Sequence, residues 1–269
     1  MASTKYTHAV VCRIPQSYRT KCDVQLDEAK RQHEALVKLL RELGLDVIEL
    51  PPDENLPECI FVEDTAIVCN GTALITRPGV QSRLKEVETI RSVLKKELDL
   101  PIIEIEDENA KLDGGDVLFT GKEFFVGISG RSNEAGARAV AAAFPEYPCT
   151  PVRVTERLHL KNLISVAGPD LLCVAATKPA QDLLKRIGRE ATFKYQTLTV
   201  PEEEAASVLY VNGTLIHRSE KEIPDSFKIF TERVDFPRRS ISVSELTKSG
   251  QGLSSCCLLL RISKHIKCI

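Results

Sequence analysis

The chain has 269 residues, a formal net charge of −2 and a 43% hydrophobic share, enough for a globular core without disulfides or structural metal. The balance of 36 basic against 38 acidic residues, with only 5% aromatics, argues against a nucleic-acid partner. The polar Met1–Thr7 start lacks the apolar core of a secretory signal, and the longest apolar runs, such as Cys256–Leu260, are too short to cross a membrane.

The length fits one large domain or two small ones. Nine cysteines form an odd, scattered set without a Cys-x-x-Cys pair, so a zinc ribbon is not indicated and reduced thiols in a cytoplasmic protein are expected.

The predicted elements repeat. His8–Ile14 reads as a strand. Leu26–Leu43 carries apolar residues at helical spacing, with Gly44 as its stop, and Asp46–Leu50 follows as a strand. Thr65–Cys69 and Thr72–Thr76 flank Asn70-Gly71, a hairpin signal. The helical pattern Gln81–Leu98 and the strand Ile102–Ile105 come next. Val117–Thr120 and Phe124–Ile128 form the second hairpin, followed by helix Asn133–Phe144 and strand Val152–Thr155. Leu163–Val166 and Leu171–Ala175 flank Gly168-Pro169, and helix Pro179–Ile187 and strand Thr197–Val200 complete that unit. Val208–Val211 and Leu215–His217 flank Asn212-Gly213, with a strand over Ser240–Val243.

The turns recur at roughly 45–50 residue intervals, within the range of repeat architectures. The unit is hairpin, helix, strand, in four copies. A fifth is assembled from both ends, His8–Ile14 pairing with Cys256–Ile262, which closes a ring and hides the sheet edges. The expectation is a single closed α/β domain over residues 1–269 with Lys264–Ile269 as an exposed tail. Periodicity alone leaves an open α/β sandwich as the alternative.

Four separated polar groups carry chemistry: Asp113-Gly114-Gly115-Asp116, His159, Glu63-Asp64 and Cys256-Cys257. Together they supply an orienting acid, a base, a second acidic cluster and a thiol, an inventory suited to attack on a cationic carbon. The glycines between Asp113 and Asp116 read as a tight turn or as room for a ligand. Glu63-Asp64 suits a cation if buried. In a strand, only one of Cys256 and Cys257 faces a site, and a low-pKa thiol needs a positive partner. The remaining cysteines, Cys12 and Cys59 among them, read as incidental thiols.

Phe61-Val62-Glu63-Asp64, the run Ala73–Gly79, Asp107–Ala110, Leu112–Gly121, Glu123–Gly127, Leu158-His159-Leu160-Lys161, Ser244-Glu245-Leu246 and Cys256-Cys257 resemble, in order, the animal dimethylarginine dimethylaminohydrolases. The resemblance implies the pentein fold, a five-bladed α/β propeller of ββαβ units. It also implies hydrolysis of free asymmetric dimethylarginine and monomethylarginine to citrulline and a methylated amine. Carried over, Cys256 is the nucleophile, His159 the general acid and base, and Asp113 its orienting carboxylate. Glu63 and Asp64 bind the guanidinium, Arg83 and Arg131 clamp the α-carboxylate, and Glu58 stands where the family has an Asp for the α-amino group. Gly250 lies near a backbone contact to substrate.

No cofactor is required; zinc on Cys256 would inhibit by blocking attack. Expected partners are free methylarginines, with no membrane, and the protein is a monomer or homodimer. The Val11–Asp27 loop is shorter than the family's lid-bearing loop, and Lys248–Ser255 resembles the second vertebrate paralogue. The alternatives are a related guanidino-modifying enzyme, such as an arginine deiminase, and a catalytically weak binding protein that retains the fold.

Overall fold

The computed structural model describes residues 5–155 and 158–262; the expected Lys264–Ile269 tail lies outside them. The chain opens with β1 (His8–Cys12), α1 (Leu26–Glu42) and β2 (Asp46–Leu50). Three units follow: β3 (Ala66–Cys69), β4 (Thr72–Ile75), α2 (Glu86–Ser92) and β5 (Ile102–Ile103); β6 (Val117–Phe119), β7 (Phe124–Ile128), α3 (Glu134–Ala143) and β8 (Cys149–Arg153); β9 (Ile164–Gly168), β10 (Leu171–Ala175), α4 (Lys178–Glu190) and β11 (Gln196–Val200). The last are β12 (Leu209–Val211), β13 (Thr214–Arg218), α5 (Pro224–Arg233), β14 (Arg238–Ile241) and β15 (Leu258–Leu260).

The strands form five three-stranded sheets. In each, the middle strand pairs antiparallel with its hairpin partner and parallel with the strand after the helix, as β7 does with β6 and β8. The fifth sheet joins the two ends of the chain. In it, β1 pairs antiparallel with β15 (His8↔Leu260) and parallel with β2 (His8↔Asp46). Neighbouring sheets touch through their first hairpin strands, β15 on β3, β6 on β9 and β9 on β12. This is the five-bladed α/β propeller, and the open-sandwich alternative is set aside. Among the described residues, no helix is long and apolar enough to cross a membrane.

Local chemistry accounts for the elements. The turns Asn70-Gly71 and Asn212-Gly213 place both central residues at positive φ, the geometry that tight two-residue hairpins require. Asn133 caps α3 by accepting from the Gly136 N–H at 3.0 Å. Buried Ala29, Leu36, Val37, Leu39 and Leu40 make the inner stripe of α1, a 3.6-residue period.

Three expectations shift. The helical pattern Gln81–Leu98 divides into a 3-10 turn over Gln81–Arg83, helix α2, and a π turn over Val93–Glu97. The first break lets Arg83 turn inward onto Glu86. The strand expected at Val152–Thr155 begins at Cys149, because Phe124 N–H already bonds the Pro148 carbonyl and starts the parallel ladder. Cys256 lies outside the last strand, in a 3-10 turn. The fourth copy's helix, which the sequence reading leaves without bounds, is α5, whose buried face is only Ser226 and Phe230.

Glu123 shows how the blades are tied. It is wholly buried, accepts from the Thr192 and Phe193 N–H groups and from the Tyr195 hydroxyl, and so holds the α4–β11 connection against the β6–β7 hairpin. Glu123→Ala removes three bonds; the Tyr195 hydroxyl keeps Thr120 Oγ1 as a partner at 2.9 Å, and the N–H groups of the exposed Thr192 and Phe193 turn to solvent. Urea titration is expected to show a loss of about 2–3 kcal/mol, with the fold retained.

Candidate active site

Five 3-10 turns, Val62–Thr65, Gly114–Asp116, Leu160–Asn162, Glu203–Ala206 and Leu253–Cys256, come just before the first hairpin strands β3, β6, β9, β12 and β15. They touch in series: Leu253–Cys256 on Val62–Thr65, that on Gly114–Asp116, then Leu160–Asn162, then Glu203–Ala206. Each blade therefore delivers its entry turn to a shared centre. Glu63 and Asp64 come from one turn, Asp113 caps the second, His159 caps the third and Cys256 ends the last.

His159, 1% exposed, meets Asp113 through Nε2 and Oδ2 at 2.8 Å. Its Nε2 is also 3.8 Å from Asp64 Oδ1. Burial alone disfavours the imidazolium, but Asp64, the Asp113 hydrogen bond and Asp116 outweigh it and raise the His159 pKa to about 9. Asp113 is held in turn, since its other oxygen accepts from the Gly79 N–H at 2.9 Å and its own N–H donates to Ser132 Oγ at 3.0 Å. Asp116 anchors the surroundings, accepting from the Leu160 N–H and from the hydroxyls of Ser129 and Ser132. One short run thus supplies both the partner of His159 and the anchor for its turn.

The two glycines of that run serve close packing. Neither has a positive φ. A Cβ on Gly114 would collide with the Glu63 carbonyl, and one on Gly115 would lie 2.7 Å from His159 Nδ1 and 2.9 Å from Asp64 Oδ1.

The acidic pair divides its work. Asp64 Oδ1 accepts from the Gly115 N–H at 2.8 Å and Oδ2 from Arg83 Nη1 at 2.7 Å. Burial opposes its charge, yet His159 and Arg83 hold its pKa below the ordinary value. Glu63 accepts from Lys161 Nζ at 3.1 Å and from Ser254 Oγ at 3.0 Å. Burial raises its pKa despite Lys161. Lys161 and Ser254 were not singled out in the sequence, although Lys161 stands in the Leu158–Lys161 motif, two residues after His159.

Cys256 and Cys257 are both buried, among Tyr18, Ile60, Phe61 and Leu253. Burial pushes the Cys256 thiol up to about 12, Glu63 and Asp64 add to this, and Arg218 opposes it. Cys257 is driven well above the ordinary thiol value by burial and by Glu63. Cys256 stands outside the close cluster of Asp64, Asp113 and His159, whose ligand atoms lie within 4.8 Å of one another. Among the described residues, no hydrogen bond joins its thiol to His159. Arg218, which sequence reading missed, donates to Glu222 and Thr247 and keeps a buried Nε without a partner among the described residues.

The remaining expected residues surround this centre. Arg83 is 1% exposed and already engaged, with four hydrogen bonds to Asp64, Glu86 and the Phe61 carbonyl. Arg131 is half-buried, and its Nη1 is enclosed without a partner among the described residues. Glu58 pairs with Lys21 at 3.4 Å. Gly250 is exposed, sits at φ 97° and accepts from Asn162 Nδ2 at 3.2 Å. A cleft of about 600 Å³ runs beside these turns, lined by Leu158, Asn162, Ser207, Arg218, Gly250 and Gly252. The short β1–α1 loop is pinned by Tyr18, whose hydroxyl donates to the Leu246 carbonyl at 3.0 Å.

The His159 environment has a consequence for stability. Its pKa is higher folded, about 9, than the ordinary 6.5. Its stabilisation is therefore complete below pH 6.5 and disappears as pH rises through 9, about 3 kcal/mol in all. Unfolding free energy measured across that window is expected to fall, and His159→Asn to flatten the slope.

The chain matches the family model for N,N dimethylarginine dimethylhydrolase, eukaryotic, over residues 8–224. It is 38% identical to the human putative hydrolase DDAH2 and 37% to the bovine one, over 96% of each chain in both cases. Among solved structures it superposes on DDAH from Pseudomonas aeruginosa, a mutant complexed with citrulline, with a TM-score of 0.81, 27% identity, and coverage of 95% of this chain and 100% of that one. The N-terminal domain of the arginine dihydrolase ArgZ, at 16% identity and TM-score 0.78 over 94% of this chain and 97% of that one, shares the fold. The match over most of its length, on a five-bladed propeller with these turns at its centre, makes the chain a member of the eukaryotic dimethylarginine dimethylaminohydrolase family of carbon–nitrogen hydrolases.

Proposed function

We propose that the protein hydrolyses free asymmetric dimethylarginine and monomethylarginine to citrulline plus dimethylamine or methylamine, through a covalent thiouronium on Cys256, acting as one catalytic domain in the cytoplasm. The observation that carries this reading is the buried His159–Asp113 pair, at 2.8 Å, within the ring of turns that also holds Glu63, Asp64 and Cys256.

A guanidinium carbon is a weak electrophile, so orientation has to supply much of the rate. Glu63 and Asp64 make a negative site that favours the cation and, by the same field, disfavours a thiolate. A guanidinium seated against them cancels that field and eases deprotonation of Cys256. Cys256 releases its proton to solvent, and the thiolate attacks the guanidinium carbon. His159, charged at neutral pH, gives its proton to the departing amine as the C–N bond breaks. Now neutral, it takes a proton from the water that attacks the thiouronium. The C–S bond then breaks, the sulfur takes the hydroxyl proton of the intermediate as the citrulline carbonyl forms, citrulline leaves, and the Cys256 thiol and the charged His159 are restored.

Arg131, whose enclosed nitrogen has no partner among the described residues, suits the substrate α-carboxylate. Arg83 supports the site chiefly by fixing Asp64. Glu58 receives the α-amino group by displacing Lys21, and Gly250 borders the substrate. The scheme needs no metal. Zinc on Cys256 would take the sulfur lone pair that attack requires, and added zinc is expected to slow turnover until a chelator is supplied.

The test is citrulline release from asymmetric dimethylarginine, monomethylarginine and arginine, with chelator present. Release from the methylated substrates by wild type and Cys257→Ser, and its loss in Cys256→Ser, is the expected result. Preference for arginine points instead to a deiminase, and no release from any of them to a binding protein. Arg131→Met should raise KM for the free amino acid at least about tenfold, the worth of one charged hydrogen bond, with little change in kcat.

A further inference from the structure

Cys12 and Cys59 are 47 residues apart in sequence, yet their sulfurs are 3.6 Å apart. Cys12 ends β1 and is 3% exposed; Cys59 lies beside Glu58 and is 9% exposed. The Cys12 thiol faces Cys59 and the carbonyls of Arg13 and Pro51, each at 3.5 Å. This is the one thiol–thiol hydrogen bond among the described residues, and it involves neither Cys256 nor Cys257. We infer that Cys12 and Cys59 form an oxidisable dithiol, a modification site that a small hydroperoxide converts to an internal disulfide.

The two sulfurs differ in a way that orders the steps. The hydrogen bond from Cys12 favours a thiolate on Cys59 and holds its pKa below the ordinary value, whereas the same contact and burial raise Cys12. Cys59 is therefore the attacking sulfur. Its thiolate takes the terminal oxygen of the hydroperoxide, the O–O bond breaks, and the alkoxide or hydroxide leaves and is protonated. The Cys59 sulfenic acid then accepts attack by Cys12. The S–S bond forms, the S–O bond breaks, and the thiol proton leaves with the hydroxyl as water. Two thiols lose two electrons and the peroxide gains them; an external dithiol reverses the change.

Closing the bond brings the sulfurs from 3.6 Å to about 2.05 Å. Where side-chain rotation does not supply the whole distance, the end of β1 and the loop around Glu58 approach each other. Glu58 then moves relative to Lys21, its partner at 3.4 Å. On the substrate reading proposed above, this alters the site for the α-amino group, so the oxidised form should bind methylarginine more weakly.

The dithiol is tested first without turnover. Folded Cys256→Ser protein is titrated with hydrogen peroxide, alkylated and mapped by mass spectrometry. The expected product has lost two hydrogens and links the Cys12 peptide to the Cys59 peptide; Cys12→Ser should instead leave a Cys59 sulfenic acid trapped by dimedone. The inference is overturned if both sulfurs remain alkylated at doses that oxidise the half-buried Cys22. Turnover by wild type then tests the consequence. Peroxide should raise KM several-fold, reversibly with dithiothreitol, and Cys12→Ser should lack that response. An equal loss in Cys12→Ser assigns the effect to Cys256 and overturns the coupling. Failure of wild type to turn over any methylarginine counts against the proposed function, while the peptide map still decides the disulfide.

Discussion

Asp64 is the constraint around which the centre is built. A carboxylate without water costs several kcal/mol unless charge and hydrogen bonds replace its hydration. Here Arg83 lies on one oxygen, the Gly115 N–H on the other, and His159 Nε2 is 3.8 Å from that second oxygen. Each partner creates a further demand. Arg83, equally buried, needs Glu86 and the Phe61 carbonyl, and the break in the predicted helix at Gln81–Arg83 lets it turn inward. Gly115 has to lack a side chain because His159 and Asp64 occupy that space. His159 then keeps its charge well above the usual pH, which requires Asp113, and Asp113 needs Gly79 and Ser132. The buried network is thus satisfied residue by residue.

The same field sets the chemistry. Carboxylates concentrated in a dry centre favour an incoming cation and oppose ionisation of Cys256, whose apolar neighbours provide no relief. Three of the carboxylates assigned to substrate already hold a cation of the protein: Lys21 on Glu58, Lys161 on Glu63 and Arg83 on Asp64. In the proposed reaction, substrate has to displace or join these cations, and the thiol becomes reactive only when it does. Before that, a buried thiol near acidic groups is a poor nucleophile, which limits side reactions.

The repeat explains how these distant residues meet. Each blade enters its hairpin through a 3-10 turn, and the turns lie side by side. A residue in the turn before a first hairpin strand is therefore near the centre whichever blade it comes from. Glu63, Asp64, Asp113, His159 and Cys256 all occupy this part of their units. The fourth unit places Glu203–Ala206 there, beside the cleft that Arg218 and Gly250 line.

Alternation of apolar residues, Asn-Gly turns and helical spacing were enough to indicate the ββαβ repeat, because these are local preferences of the backbone. Joining the termini into a fifth blade also followed from the sequence, since β1 and β15 each have an unpaired edge without the other. The motifs in turn singled out Asp113, His159, Glu63-Asp64 and Cys256. Only the tertiary structure decided which cation neutralises which carboxylate, that Arg83 faces inward, that Lys161 and Ser254 hold Glu63, and that Cys12 lies against Cys59. These depend on distances between blades, and on burial that strengthens charge interactions once water is excluded. A local pattern carries neither.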